Sequence, residues 1–165
     1  MPEPDEQSAF EEGTVIWFMP GGSGRATSGI LRSRKLKRQI VLVARAKLGL
    51  SRLRGAQIDA IASLVTGRDT LVVMPTGSGK SAIYQVSALM LDGPAIVVSP
   101  LIALQLDQAR GLREAGLPAY TLNANTPDSV RDDIYAALEA GQPTFVFLAP
   151  EQLARPDVSR LLARR

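Results

Sequence analysis

At 165 residues the chain suits one domain, long enough to bury roughly 70% of its unfolded surface. It is 45% hydrophobic and 21% charged, the balance of an ordinary soluble globular protein, and it has no cysteine and no histidine. That excludes disulfides, cysteine-ligated zinc, and histidine acid–base or metal chemistry. No apolar run reaches the roughly 18 residues of a membrane span, and the N-terminus lacks a basic-then-apolar leader, so the expected address is the cytoplasm, with no membrane contact. The net charge of +3 is unevenly spread. Residues 1–12 carry five acids and no base, whereas from Gly13 to Ile58 there are ten bases and no acid. A cluster such as Arg32-Ser-Arg-Lys-Leu-Lys-Arg38 suits either a phosphate backbone or plain solvation.

Taken in chain order, residues 1–40 read as an irregular basic extension, broken by Pro2, Pro4, Pro20 and glycines 13, 21, 22 and 24. Within it Gly13-Thr-Val-Ile-Trp-Phe18 resembles the opening strand of a cold-shock domain, but the aromatic strands that should follow are absent. An isolated strand with a buried Trp17 is the plainer reading. Met19-Pro-Gly-Gly-Ser-Gly-Arg25 imitates a phosphate loop without its lysine and hydroxyl. From there on the pattern is regular, and residues 41–165 read as the second unit. Helices are expected over Ile40–Lys47 and Gly55–Thr66, a strand over Asp69–Val73, and a helix over Lys80–Leu91 with Ile83, Val86, Met90 and Leu91 on one face. A strand at Ala95–Ser99, a helix at Ile102–Ala115 and a strand at Ala119–Leu122 follow. Next come a helix at Pro127–Ala140, a strand at Thr144–Leu148, and a final helix at Glu151–Ala163 with a break near Pro156. Such alternation implies an α/β fold, a parallel sheet with helices on both faces.

Leu71-Val-Val-Met-Pro-Thr-Gly-Ser-Gly-Lys-Ser81 supplies a strand, a glycine-rich loop and a helix start in the order that phosphate binding needs. Gly77 and Gly79 permit backbone angles that aim successive N–H groups at an anion, helped by the positive end of the following helix. Lys80 would reach the β- and γ-phosphates of ATP and the Ser81 hydroxyl would complete a Mg²⁺ shell, making these two the candidate catalytic groups. Pro75, Thr76, Gly77, Ser78 and Gly79 form the rest of the cradle. Met74 stands where the strict pattern has glycine, a departure ordinary among helicases.

The flanks carry a resemblance. Leu48-Gly-Leu-Ser-Arg-Leu-Arg-Gly-Ala-Gln57 resembles the motif that RecQ helicases place ahead of their first strand, and Gly67 to Gln85 is similar to their motif I. Val97-Val-Ser-Pro-Leu-Ile-Ala-Leu-Gln-Leu-Asp-Gln108 resembles motif Ia, and Leu122-Asn123 with Phe147-Leu-Ala-Pro-Glu151 resembles the region of motif Ib. The resemblance spans about residues 45–165 and implies part of a RecA-like P-loop NTPase domain in an ATP-dependent DNA helicase of repair and recombination. By that resemblance Gln57 reads the adenine edge, Arg54 packs near the base, and Ser99, Pro100 and Asn123 lie along single-stranded or partly unwound DNA. Asp107 and Gln108 are expected simply to cap or line a helix.

Two departures stand out. Leu50 occupies the place of an aromatic residue that stacks on the base. The Asp-Glu-Ala-His motif that holds Mg²⁺ and activates water is also missing, since the only Asp-Glu pair is Asp5-Glu6. The expectation is therefore half of an ATPase site, inactive alone, in an incomplete domain whose Asp69–Val73 strand lacks its sheet neighbours and whose exposed edges favour instability or self-association. The alternatives are a small nucleotide- or nucleic-acid-binding protein without turnover, or the front of a DEAD-box-like RNA helicase.

Overall fold

A computed structural model describes residues 15–18, 30–75 and 77–163, with side chains from 33 onward. The Met19–Arg25 stretch, the side chains of Trp17 and Arg32, and Thr76 lie outside the described residues. The element order is β1 (Val15–Phe18), α1 (Ile30–Leu48), α2 (Gly55–Val65), α3 (Lys80–Met90), β2 (Ala95–Val98), α4 (Ile102–Glu114) and β3 (Ala119–Leu122). It continues with α5 (Asp128–Glu139), β4 (Phe145–Leu148), a 3₁₀ turn at Pro150–Ala154 and α6 (Pro156–Ala163).

The sheet order is β1-β2-β4-β3. β2, β4 and β3 run parallel, in register Ala95 with Phe145 and Ala119 with Phe145. β1 joins antiparallel, Val15 opposite Val98. Every residue of β2 and β4 is buried, because helices cover both faces and leave no face for polar side chains. Successive side chains alternate between two cores. Ala95, Val97, Ala119, Phe145 and Phe147 pack with Tyr84 and Ala88 of α3 and Ala109 and Leu112 of α4. Ile96, Val98, Leu122, Val146 and Leu148 pack on the other side with Ile134 and Leu138 of α5 and Val158 and Leu161 of α6. Near that second core the Tyr135 hydroxyl donates to Asp157 at 2.7 Å, linking α5 to α6, and the Arg155 guanidinium beside Asp157 holds its carboxyl well below the usual range.

The expected helices and strands over residues 95–163 form within a residue or two of the expected ends. The last helix is split at Pro156, whose missing N–H cannot continue the preceding turn. Two expectations change. α1 begins at Ile30, ten residues ahead of the expected start. Its inward stripe already starts at Leu36 and continues through Ile40, Val43 and Ala44 at helical spacing, packed against α2 and α3. The basic residues between them simply occupy the opposite face.

The expected strand at Asp69–Val73 is not formed. The segment is without a sheet partner among the described residues, and β2's edge is taken by β1. It keeps a strand's alternation nonetheless. Val72 and Met74 pack on the α1–α2–α3 cluster, while Leu71 and Val73 are 91% and 87% exposed. Strand character without a neighbour leaves apolar surface in water, as the sequence reading anticipated for this segment.

Candidate nucleotide site

The loop leading into α3 turns back on itself, the Ser78 N–H donating to the Pro75 carbonyl at 3.2 Å. Gly77 and Gly79 sit at φ +73° and +82°, in the left-handed region. Gly79 is the N-cap of α3, which opens at Lys80 with no acidic residue in its first turn. In that turn the Ala82 N–H donates back to the Gly79 carbonyl at 3.1 Å, and the helix dipole presents a positive end to an anion. Inside the loop the Ser78 hydroxyl is buried with no hydrogen-bond partner. A buried hydroxyl left unpaired is costly, and a phosphate oxygen would satisfy it. Lys80 folds back so that Nζ donates to the Met74 carbonyl at 2.9 Å. A bound phosphate would draw that ammonium from a neutral carbonyl to an anionic oxygen, the stronger acceptor.

Gln57 stands against this loop from the first turn of α2 and is only 4% exposed. Its Oε1 accepts the N-cap N–H of Arg54 at 2.7 Å, and its Nε2 donates to the carbonyls of Gly79 at 2.9 Å and Ser78 at 3.3 Å. Both amide hydrogens are thus engaged by the loop in this conformation. The geometry gives Gln57 a hold on the phosphate loop, whereas the family resemblance gives it the adenine edge. Arg54 is exposed beside it, and Leu50 leans on the α1–α2–α3 cluster. Gly79→Ala should therefore be disruptive. A Cβ there would lie 2.7 Å from Gln57 Nε2, on a backbone that L-residues adopt at a cost of about 1–2 kcal/mol. We expect a stability loss of at least that size in urea denaturation, together with weakened nucleotide binding.

The same helix is tied to α4. The Tyr84 hydroxyl donates to Gln108 Oε1 at 2.8 Å and Gln85 Nε2 donates to the same oxygen at 3.1 Å. Gln108, expected only to cap or line its own helix, thus joins α3 to α4. The signal was a polar side chain on the inner face of each of two facing helices. Burial pushes the Tyr84 phenol up to about 12, against a smaller downward pull from the neighbouring polar side chains of Gln85 and Ser81. Between pH 10 and 12 native Tyr84 keeps its proton while the unfolded chain loses it. Stability should then fall with pH across that window, by about 1.4 kcal/mol per unit from this group. Tyr84→Phe should lack this component of the slope in urea melts between pH 9 and 12.

The other candidates lie at the carboxyl ends of the parallel strands, where α/β sheets place their ligands. Ser99 follows β2 and is buried, its Oγ accepting the Leu101 N–H at 3.3 Å and its carbonyl accepting Gln105 Nε2 at 2.6 Å. Pro100 is exposed next to it, with Leu101 and Ile102 both close to 40% exposed. Asn123 follows β3 and is buried in a turn, its Oδ1 accepting the Asn125 N–H at 2.9 Å. The rim therefore offers Pro100 and neighbouring backbone to a partner, while the side chains of Ser99 and Asn123 shape the turns that position it. Among the described residues no group of three or more His, Cys, Asp or Glu side chains is placed to hold a metal ion.

Comparison with known proteins identifies the family. Residues 54–162 match the DEAD/DEAH box helicase family. The chain is 40% identical over 114 residues to the ATP-dependent DNA helicase RecQ of Synechocystis sp., covering 69% of this chain and 24% of that protein. It is 38% identical over 109 residues to ATP-dependent DNA helicase Q-like 2 of Arabidopsis thaliana, 65% of this chain and 16% of the relative. With RecQ-like DNA helicase blm-1 of Caenorhabditis elegans the identity is 35% over 121 residues, 72% and 12%. The chain thus spans less than a quarter of each of these relatives. With the family match covering most of its length, the chain belongs to the DEAD/DEAH box helicase family and resembles the RecQ-type DNA helicases within it.

Proposed function

We propose that this chain is the ATP-binding portion of a RecQ-type ATP-dependent DNA helicase acting in DNA repair and recombination, and that it works in the cytoplasm. The observation that carries this is the phosphate loop itself, with two left-handed glycines, a buried unpaired Ser78 hydroxyl and Lys80 at the N-terminus of α3. Pro75, Thr76, Gly77, Ser78 and Gly79 would enclose the β- and γ-phosphates, Lys80 would neutralise them, and Ser81 would contribute one oxygen to Mg²⁺. The ion would supply charge neutralisation across the phosphates. Arg54 and Gln57 would border the base, with Leu50 offering apolar contact in place of a stacked ring. Pro100 and the backbone around Ser99 and Asn123 would lie along single-stranded DNA. The relatives named above are DNA helicases, which favours DNA over RNA. The only Asp-Glu pair, Asp5-Glu6, follows Met1-Pro-Glu-Pro4 in place of an apolar run, so these residues alone should bind ATP without sustained turnover.

Filter binding of labelled ATP to the full chain, with Lys80→Ala as control, tests the reading. Loss of a charge-assisted hydrogen bond costs about 1.5–3 kcal/mol, so binding by the variant should weaken by about 10–100-fold. Equal binding by both proteins removes the site.

A further inference from the structure

The outward face of α1 is not used by the nucleotide site. Leu36, Ile40, Val43 and Ala44 turn inward, with Ile40 and Ala44 completely buried. Advancing 100° per residue, Arg34, Arg38 and Arg45 fall on one line along the opposite side, flanked by Lys35 and Leu42. All five are exposed, and none of the four cations has an acidic partner among the ion pairs of the described residues. The flanking Lys37 differs, since Asp59 of α2 holds it at 2.7 Å. No acid occurs between Gly13 and Ile58 to neutralise the stripe locally. The whole of this helix also precedes residue 54, where the family match begins.

We infer that this arginine stripe is a docking surface for the phosphate backbone of DNA, separate from the phosphate loop and from the strand-end rim. From Arg34 to Arg45 the helix rises about 16 Å, close to the axial rise of five phosphates on one strand. Guanidinium groups suit that partner because their planar donors pair with phosphate oxygens two at a time. A lipid surface fits less well. An amphipathic helix lying on a membrane inserts a broad apolar face, whereas the apolar stripe of α1 is packed on α2 and α3 and its outward face adds Val41 and Leu42 as the large apolar side chains among the cations. The contact is electrostatic and independent of base sequence.

The test uses the full chain without nucleotide, so its outcome does not depend on ATP binding. Fluorescence anisotropy with labelled single-stranded DNA over a salt series gives the slope of log affinity against log salt. Arg38→Gln with Arg45→Gln should lower that slope by about 1.4, from two lost contacts to single-strand phosphates, and weaken binding at low salt at least tenfold. A charge-matched pair elsewhere, Arg68→Gln with Arg160→Gln, should change the slope by less than half as much. Phenylglyoxal modification of the wild-type chain gives a readout that no variant needs to fold for, with Arg34, Arg38 and Arg45 protected when DNA is present. Equal slopes for the two double variants, or no protection of these arginines, overturn the inference. Binding to phosphatidylserine vesicles without binding to DNA overturns it as well.

Discussion

Phe147→Ala should cost about 3–5 kcal/mol, a large share of the roughly 5–15 kcal/mol that holds a domain together. Phe147 lies in β4, which is paired on both sides, and it is 1% exposed. Its ring meets Tyr84 edge-on, centroids 6.2 Å apart at 80°, and its strand neighbours Val97 and Thr121 close the sides. Removing the ring leaves a cavity between the sheet and α3, the helix that opens the phosphate loop. Two readouts should therefore move together. The urea midpoint should drop, and ATP binding should weaken wherever the folded fraction falls. A loss below 1 kcal/mol would mean that this core is not packed as described.

Gln57→Ala is the second large effect and separates two roles for one residue. The substitution removes the acceptor for the Arg54 N–H and the donor for the Ser78 and Gly79 carbonyls. The Gly79 carbonyl keeps the Ala82 N–H at 3.1 Å, so the Arg54 N–H and the Ser78 carbonyl are the groups left unpaired, at about 1–3 kcal/mol each or about 2–6 kcal/mol together, less where water reaches. If Gln57 holds the loop, the variant should lose affinity for ATP, GTP and inorganic pyrophosphate alike. If it acts only on the base, pyrophosphate affinity should stay unchanged and only the preference for ATP over GTP should fall. Equilibrium competition assays with the three ligands distinguish these outcomes.

The parts of this fold that were legible in the sequence are those whose cause is local. Ala95–Val98 and Phe145–Leu148 are short apolar runs bounded by turn residues, and they become the doubly covered centre of the sheet. Pro156 marks its own helix start. The Gly77 and Gly79 conformations follow from the glycines themselves. Features that depend on distant chain were not legible. Thr70–Met74 has a strand's alternation, but pairing needs a neighbour that local sequence does not specify. The antiparallel addition of β1 to β2 joins residues about 80 positions apart. Gln57 was singled out from its motif, yet its bonds to the loop cross 21 and 22 positions and appear only once α2 meets the loop. Gln108 acquires its place only because α3 and α4 share one face of the sheet. The start of α1 was missed because its basic face obscured an apolar stripe already running from Leu36.

The most direct test of the central claim is an ATP titration of the ¹⁵N-labelled full chain, followed by amide resonances. Saturable shifts at Gly77, Ser78, Gly79, Lys80 and Ser81, absent over the same concentrations in Lys80→Ala, are the predicted result. Saturable binding that leaves those amides unmoved, or moves them equally in the variant, would contradict a phosphate site at this loop.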